Sequence, residues 1–318
     1  MDIRTFCPTD VPALAEIRQA AHPFDQDNLL PRTLDAVHHE LERPGLDPEH
    51  NVFIAESDDG RAVGFAWVHL ERGQEDIWGC CLTVHPAARE SDAGARLLQA
   101  AWERALVRRG ESEGRTAWFQ TEVNATATWL DGLFECGGLC IARYELRMHC
   151  LLTEANIPPL VVPEDILLQA YHHPQDVRAV NAALSEAFRD SWGSVELSDA
   201  EFAHIFDSGY AQPDASVVAW AGDEVAGACL NDFSPVRFER VGAREGWVSS
   251  LGVRRAWRKH GLATAVLVWT LREAAARGVE AVALDVDAEN PTGAKRLYER
   301  VGFREMERFL VYRKQIPA

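Results

Sequence analysis

Apolar positions in this chain follow two periodicities, and the two recur in the same order twice. Near the start, Asp2-Ile-Arg-Thr-Phe6 reads as a short strand that runs into a polar turn and a helix opening near Asp10. The same succession returns at Asp165-Ile-Leu-Leu-Gln-Ala-Tyr171 and Asp176. Each copy then carries two apolar runs split by turn residues. In the first these are Asn51–Glu56 and Ala62–Val68, around Asp58-Asp59-Gly60; in the second, Ser216–Ala221 and Val225–Cys229, around Gly222-Asp223-Glu224. Such runs predict β-hairpins. A strand leading to a helix follows in both: Val84-His-Pro-Ala-Ala-Arg89 is echoed by Val253-Arg-Arg-Ala-Trp-Arg258. Last comes a helix ending in glycine, Phe134-Glu-Cys-Gly-Gly138 against Tyr298-Glu-Arg-Val-Gly302. In the second copy Ala263, Leu267, Leu271 and Ala274 recur at helical spacing, Gly278 stands at the stop, and Ala281–Asp287 reads as a strand. A unit of this kind used twice explains the pattern.

The copies are joined by Thr153-Glu-Ala-Asn-Ile-Pro-Pro-Leu-Val-Val-Pro163, whose prolines predict an extended linker. The boundary is placed there, giving domains 1–155 and 156–318. A chain of 318 residues is more than one core usually holds, which agrees.

Charge narrows the partners. With 49 acidic and 32 basic residues the net charge is −17, so nucleic acid is not expected, because phosphate binding needs a basic surface. A cationic partner such as an amine is drawn to this protein, although the same charge also serves solubility. The seven cysteines, odd in number and without a CxxC pair, predict neither a metal site nor a disulfide framework. Cys136 and Cys140, four apart, are expected on one helical face. No apolar run approaches about 18 residues and no apolar targeting segment opens the chain. A soluble, cytoplasmic protein without a membrane partner, monomeric or homodimeric, is expected.

The chemistry concentrates in the second copy. From Leu251-Gly252-Val253 to Arg258-Lys259-His260-Gly261-Leu262-Ala263-Thr264, a strand, a turn and a helix N-terminus meet. Gly261 lets the backbone approach a ligand without a Cβ between them. The first turn of the helix leaves N–H groups free, and its dipole favours an anion there. Arg258 and Lys259 add positive charge, so a pyrophosphate fits; a plain strand–turn–helix corner is the alternative this segment alone leaves open. Further on, Asn290-Pro291 has the form of a helix N-cap followed by a first-turn proline.

Taken together, the Arg-x-x-Gly-x-Ala loop and the helix ending Leu297-Tyr298-Glu-Arg-Val-Gly302-Phe303 resemble the GNAT superfamily of N-acetyltransferases. The segment Pro291-Thr-Gly-Ala294 is one residue longer than the commonest form. With its duplication, the chain resembles the tandem group that includes mycothiol synthase. The resemblance implies an α/β (α+β) fold of two tandem GNAT domains, each a mixed, splayed central sheet flanked by helices. It implies acetyl-CoA in the gap where the fourth and fifth strands part, held by Leu251, Gly252, Val253, Arg258, Lys259, His260, Gly261, Leu262, Ala263 and Thr264, with a contact from Asn290. The N–H near Val253 would polarise the thioester carbonyl. Tyr298 would protonate the departing thiolate in a direct, ternary-complex transfer to a small-molecule primary amine.

That amine must be neutral to attack, while a typical alkylammonium has a pKa of about 10. A carboxylate, directly or through water, can take the proton. Glu245 is one candidate base. Alternation puts Glu245, Trp247, Ser249 and Leu251 on one face. The family's strand glutamate aligns with Trp247, so Glu245 would act through water. Asp285 and Asp287 are rivals, for the base or for amine recognition. Asp190 and Trp192, within Arg189–Gly193, are candidates to bind the acceptor, although an aromatic in a tight turn is more often packing.

The first copy departs from this pattern. Aligned on Arg89, Glu90 takes the place of Lys259 and Asp92 that of Gly261, setting two carboxylates before the pyrophosphate. Phe134 stands for Tyr298 without its hydroxyl, and Thr126 falls at Asn290. The first domain is therefore expected to be structural and the second catalytic; a slipped alignment that uses Gly94 stays open. The acceptor stays open between a general amine and a cysteinyl amino-sugar, and a non-catalytic acyl-CoA sensor is the alternative from another class.

Overall fold

The computed structural model describes residues 1–25, 33–42, 46–72, 75–153, 157–192, 194, 197–207, 211–290 and 292–317. They form two compact units: Met1–Tyr144 with Arg308–Ala318, and Glu145–Glu307. The chain passes between them twice, after Tyr144 and after Glu307, instead of once at a linker. The boundary expected at 155/156 lies outside the described residues.

The first unit contains β1 (Asp2–Thr5), α1 (Val11–Asp25), α2 (Leu34–Leu41), α3 (Pro48–Asn51), β2 (Val52–Glu56), β3 (Ala62–Glu71), β4 (Asp76–Val84), α4 (Ala93–Val107), β5 (Ala117–Asn124), α5 (Trp129–Cys136) and the start of β6 (Cys140–Leu151). The second contains the rest of β6, β7 (Leu167–Ala170), α6 (Val177–Phe188), α7 (Asp199–Asp207), β8 (Val217–Ala221), β9 (Glu224–Asp232), α8 (Pro235–Val241), β10 (Glu245–Val253), α9 (Leu262–Ala276), β11 (Ala281–Asp287), α10 (Ala294–Val301) and the start of β12 (Arg304–Gln315). None of the described helices is long and apolar enough to cross a membrane.

Within the first unit the strand order is β1-β2-β3-β4-β5-β12. Its strands bury both faces, and period two sorts the side chains. Phe65 and Trp67 of β3 pack with Leu14 and Ile17 of α1, whereas Ala66 and Val68 pack with Leu97 and Leu98 of α4. The second unit repeats this, in the order β7-β8-β9-β10-β11-β6. Val218 and Leu230 meet Val180 and Leu184 of α6 on one face; Val217 and Cys229 meet Val266 and Leu271 of α9 on the other.

One pair in each sheet is parallel, and it is short. β4 pairs with β5 from Asp76 to Gly79, and β10 with β11 only from Glu245 to Trp247. Beyond Trp247, β10 stays on β9 as far as Val253, while β11 stays on β6 as far as Asp287. The two strands part and a cleft opens: the mixed, splayed sheet flanked by helices.

Two local expectations change. The β10–β9 register shifts between Val248 and Ser250, so Ser249 is an extra residue. An insertion of one exchanges the faces beyond it. Leu251 therefore joins Val248 and Val253 toward α9, and does not share a face with Glu245 and Trp247. Cys136 ends α5 and Cys140 opens β6, because Gly137 and Gly138, the latter at φ +77°, stop the helix. The two cysteines do not share a helical face.

Candidate active site

A cavity of about 1060 Å³ fills the cleft of the second unit. Ser249–Val253 of β10, Asp285 and Asp287 of β11, the start of α9, and Tyr298 of α10 line it. Arg254 donates its N–H to Ala226 O at 2.9 Å. In an antiparallel ladder the neighbouring residue then points its N–H the other way, so Val253 directs its own into the cleft.

The loop after β10 turns sharply. Lys259 has φ +67° and Gly261, the N-cap of α9, φ +82°. A Cβ on Gly261 would meet nothing within 4 Å, so glycine is needed there for its backbone conformation, not for room inside the chain. The first N–H groups of α9, from Leu262, Ala263 and Thr264, face the cavity end of the helix dipole. Gly252 has the opposite reason: its Cβ would lie 2.7 Å from Leu184 Cδ2 and 3.0 Å from Ala187 Cβ. Arg258 spends its guanidinium on the chain itself, donating Nε to Val253 O at 3.0 Å and another N–H to Ala187 O at 2.8 Å. His260 is exposed and lies outside the lining.

Tyr298 is buried, its ring 5.9 Å from that of Phe303. Its hydroxyl has no hydrogen-bond partner among the described residues, and burial pushes its pKa up. Asn290 lines the cavity but does not cap α10, whose N-cap is Gly293 at φ +76°. Instead its Oδ1 accepts from Thr292 N at 2.9 Å and Thr292 Oγ1 at 2.5 Å. Pro291 lies outside the described residues. In the first unit Asn124 Oδ1 accepts in the same way from Thr126, at 3.0 and 2.8 Å, so Asn124 and not Thr126 corresponds to Asn290.

Acceptor-side residues divide. Trp192 lines the cavity; Gly193 lies outside the described residues. Asp190 also lines it, but Arg255 takes its carboxylate at 3.0 Å and holds its pKa below the usual range. Asp285 is bound by Arg147 through two bonds of 3.0 and 2.9 Å, and Arg147 is itself buried. Asp287 Oδ1 accepts from Glu289 N at 2.8 Å.

Opposite Asp287 in the β6–β11 ladder stands Glu145, which the sequence did not single out. It lines the cavity, and its carboxylate has no hydrogen-bond partner among the described residues. Burial, then the charges of Asp285 and Asp287, push its pKa up to about 7. Farther along the sheet, the guanidinium carbons of Arg147 and Arg237 lie 5.0 and 4.7 Å from the ring centroid of Trp247. Glu245 is outside the cavity lining. Arg237 binds its carboxylate, which also lies 3.3 Å from His149 Nδ1.

The corresponding cleft of the first unit holds a cavity of only about 270 Å³, and residues 85–94 do not line it. Asp92 has φ −81°, without the left-handed turn of Gly261. Trp129, aligned with Gly293, donates its indole N–H to Asp25 at 2.9 Å and lies 4.5 Å under the Arg89 guanidinium. A Cβ on Gly94, at the start of α4, would lie 3.1 Å from Leu133 Cδ2. The space between loop and α5 is filled.

Comparisons with known proteins fall on the same regions. A model described as "Acetyltransferase (GNAT) family" matches residues 179–303, and one described as "Acetyltransferase (GNAT) domain" matches 48–132. The chain is 30% identical over 315 residues to a mycothiol acetyltransferase of Rhodococcus jostii, covering 95% of this chain and 93% of that one. Against the mycothiol acetyltransferase of Amycolatopsis mediterranei it is 29% identical over 300 residues, covering 88% and 93%. Among solved structures, a GCN5-related N-acetyltransferase from Sphaerobacter thermophilus superposes with TM-score 0.79 at 28% identity, over 100% of this chain and 96% of that one. A tandem GNAT protein from the clavulanic acid biosynthesis pathway gives TM-score 0.66 at 14% identity, over 100% and 99%.

Proposed function

The chain belongs to the GNAT family of acetyltransferases, and from that premise we propose that its second unit transfers an acetyl group from acetyl-CoA directly to a primary amine of a small cationic molecule. One observation carries this: a single cavity runs from the free N–H groups of Leu262–Thr264 to Tyr298 and the carboxylates of β11. The helix start and the left-handed turn suit a pyrophosphate. The Val253 N–H polarises the thioester carbonyl as negative charge grows on its oxygen. Tyr298, kept protonated by burial, donates its hydrogen to the departing sulfur. The carboxylate lining draws a cationic acceptor. Glu245, bound by Arg237, acts on strand geometry instead of on the reacting proton.

The first unit serves as a scaffold in this proposal. Its filled loop and the absence of a hydroxyl at Phe134 support that role. A second reading, transfer to a cysteinyl amino-sugar, is favoured by the relatives named mycothiol acetyltransferase.

The test is incubation of the purified chain and acetyl-CoA with spermidine, glucosamine, kanamycin and cysteinylglucosamine, followed by mass spectrometry. An N-acetylated product with one CoA released per acetyl group is expected. If cysteinylglucosamine is acetylated fastest, the second reading prevails. If none of the four is acetylated, the proposal fails.

A further inference from the structure

We infer that Glu145, carried into the second unit by strand β6, is the base that takes the proton from the acceptor ammonium. This rests on the acetyl-transfer reading above and adds to it the residue that makes the acceptor nucleophilic.

The assignment follows from how the carboxylates of the second unit are engaged. Asp285 is taken by two bonds from Arg147, and Asp287 accepts the N–H of Glu289. Glu245 is bound by Arg237 and stands outside the cavity. Asp190 is bound by Arg255. Glu145 lines the same cavity with no hydrogen-bond partner among the described residues, across the ladder from Asp287. An ammonium group entering between them meets Asp287, which already accepts one backbone N–H, and Glu145, which accepts none from the described residues.

Surrounding charges tune it for this task. Asp285 and Asp287 face it from β11 and raise its proton affinity. Arg147, two residues along its own strand, is neutralised by Asp285 and by Glu307 at 3.4 Å. Arg258, Lys259 and Arg300 stand elsewhere on the lining. With a pKa of about 7, Glu145 is ionised often enough at neutral pH to accept a proton, and basic enough to take one efficiently.

The step balances without a co-reactant. Glu145 takes one proton from R–NH3⁺, leaving R–NH2, whose lone pair forms the C–N bond to the thioester carbon. The C–S bond breaks with its electron pair on sulfur. The second nitrogen proton goes to that thiolate by way of Tyr298, giving the amide and CoA thiol. Glu145 then returns its proton to solvent.

The experiment compares wild type, E145Q and E145D on whichever of the four named amines wild type acetylates, measuring kcat/KM from pH 5.5 to 9 and acetyl-CoA binding by calorimetry. Wild type is expected to rise about tenfold per unit below pH 7 and level off above it. E145Q is expected to lose at least about 100-fold in kcat and to lose that limb, with the acetyl-CoA Kd within threefold of wild type. E145D is expected to keep the limb. An E145Q with wild-type kcat and limb overturns the assignment while leaving acetyl transfer standing. Loss of acetyl-CoA binding in both variants also overturns it, since Glu145 would then be structural. A wild type that acetylates none of the four overturns the acetyl-transfer reading, and this role with it.

Discussion

Arg258 donates from Nε to the carbonyl oxygen of Val253 at 3.0 Å, and so ties the end of β10 to the loop that begins the next helix. Arg89 makes the same connection to Val84 at 3.5 Å in the first unit. The arginine of the Arg-x-x-Gly-x-Ala loop thus builds the loop, and its positive charge comes in addition. Arg258→Ala is expected to weaken acetyl-CoA binding at least about tenfold and to lower stability by at least about 1.5–3 kcal/mol, the range for one hydrogen bond from a charged group, since the guanidinium makes two. Calorimetry and urea melts check this; unchanged values in both would contradict the bracing role.

Tyr298→Phe removes one hydrogen-bond donor and little volume. The expected result is a kcat at least about tenfold lower, a loss of 1.4 kcal/mol or more of transition-state stabilisation, with acetyl-CoA still bound. Stopped assays under saturating acetyl-CoA measure it. Turnover equal to wild type would remove Tyr298 from the mechanism.

One acetyl-CoA is expected per chain. The first unit has Asp92 without the left-handed turn, and Trp129 and Leu133 fill the gap beside α4. Gly261→Asp, which brings the first copy's residue into the second, combines an unfavourable φ with a carboxylate before the pyrophosphate. It is expected to abolish measurable binding. Titration calorimetry giving two equivalent sites in wild type would overturn the distinction between the units.

Glu145 gives a pH signature in stability as well. A carboxyl whose pKa rises from 4.5 to about 7 on folding holds a proton that the unfolded chain releases. Its contribution is whole below about pH 4.5 and is lost as pH rises through 7. E145Q is therefore expected to melt above wild type at pH 8, with the difference closing toward pH 5. Parallel melting curves across that range would show that Glu145 is not buried among like charges.

Much of this was legible in the order of residues. The duplication showed because hairpin turns and glycine-ended helices punctuate both copies at matching places. The loop showed because its geometry is local: Gly261 and the start of α9 are consecutive. What stayed hidden depends on distant partners or on a single inserted residue. Glu145 and Arg147 read as the end of the first copy, since nothing near them in sequence announces pairing with Asp287 and Asp285. The extra residue at Ser249 has no compositional mark, yet it moves Leu251 to the other face. Asn290-Pro291 imitates a helix start, but Gly293 supplies the cap three positions on. Asp190 reads as free for a ligand until Arg255, far along the chain, is found against it.

The return of β12 to the first unit also fixes an order of events during synthesis. Phe309, Val311, Tyr312 and Ile316 are buried; β12 pairs with β5, and Tyr312 and Ile316 belong to the first unit's core. Domains usually fold as units while the chain emerges from the ribosome, N-terminal first. Here the ribosome makes every residue of Glu145–Glu307 before the strand that completes the N-terminal unit. That unit waits, one sheet edge unfilled, until residues 308–316 have been made, and a chain cut at residue 303 would lose the structure of its beginning.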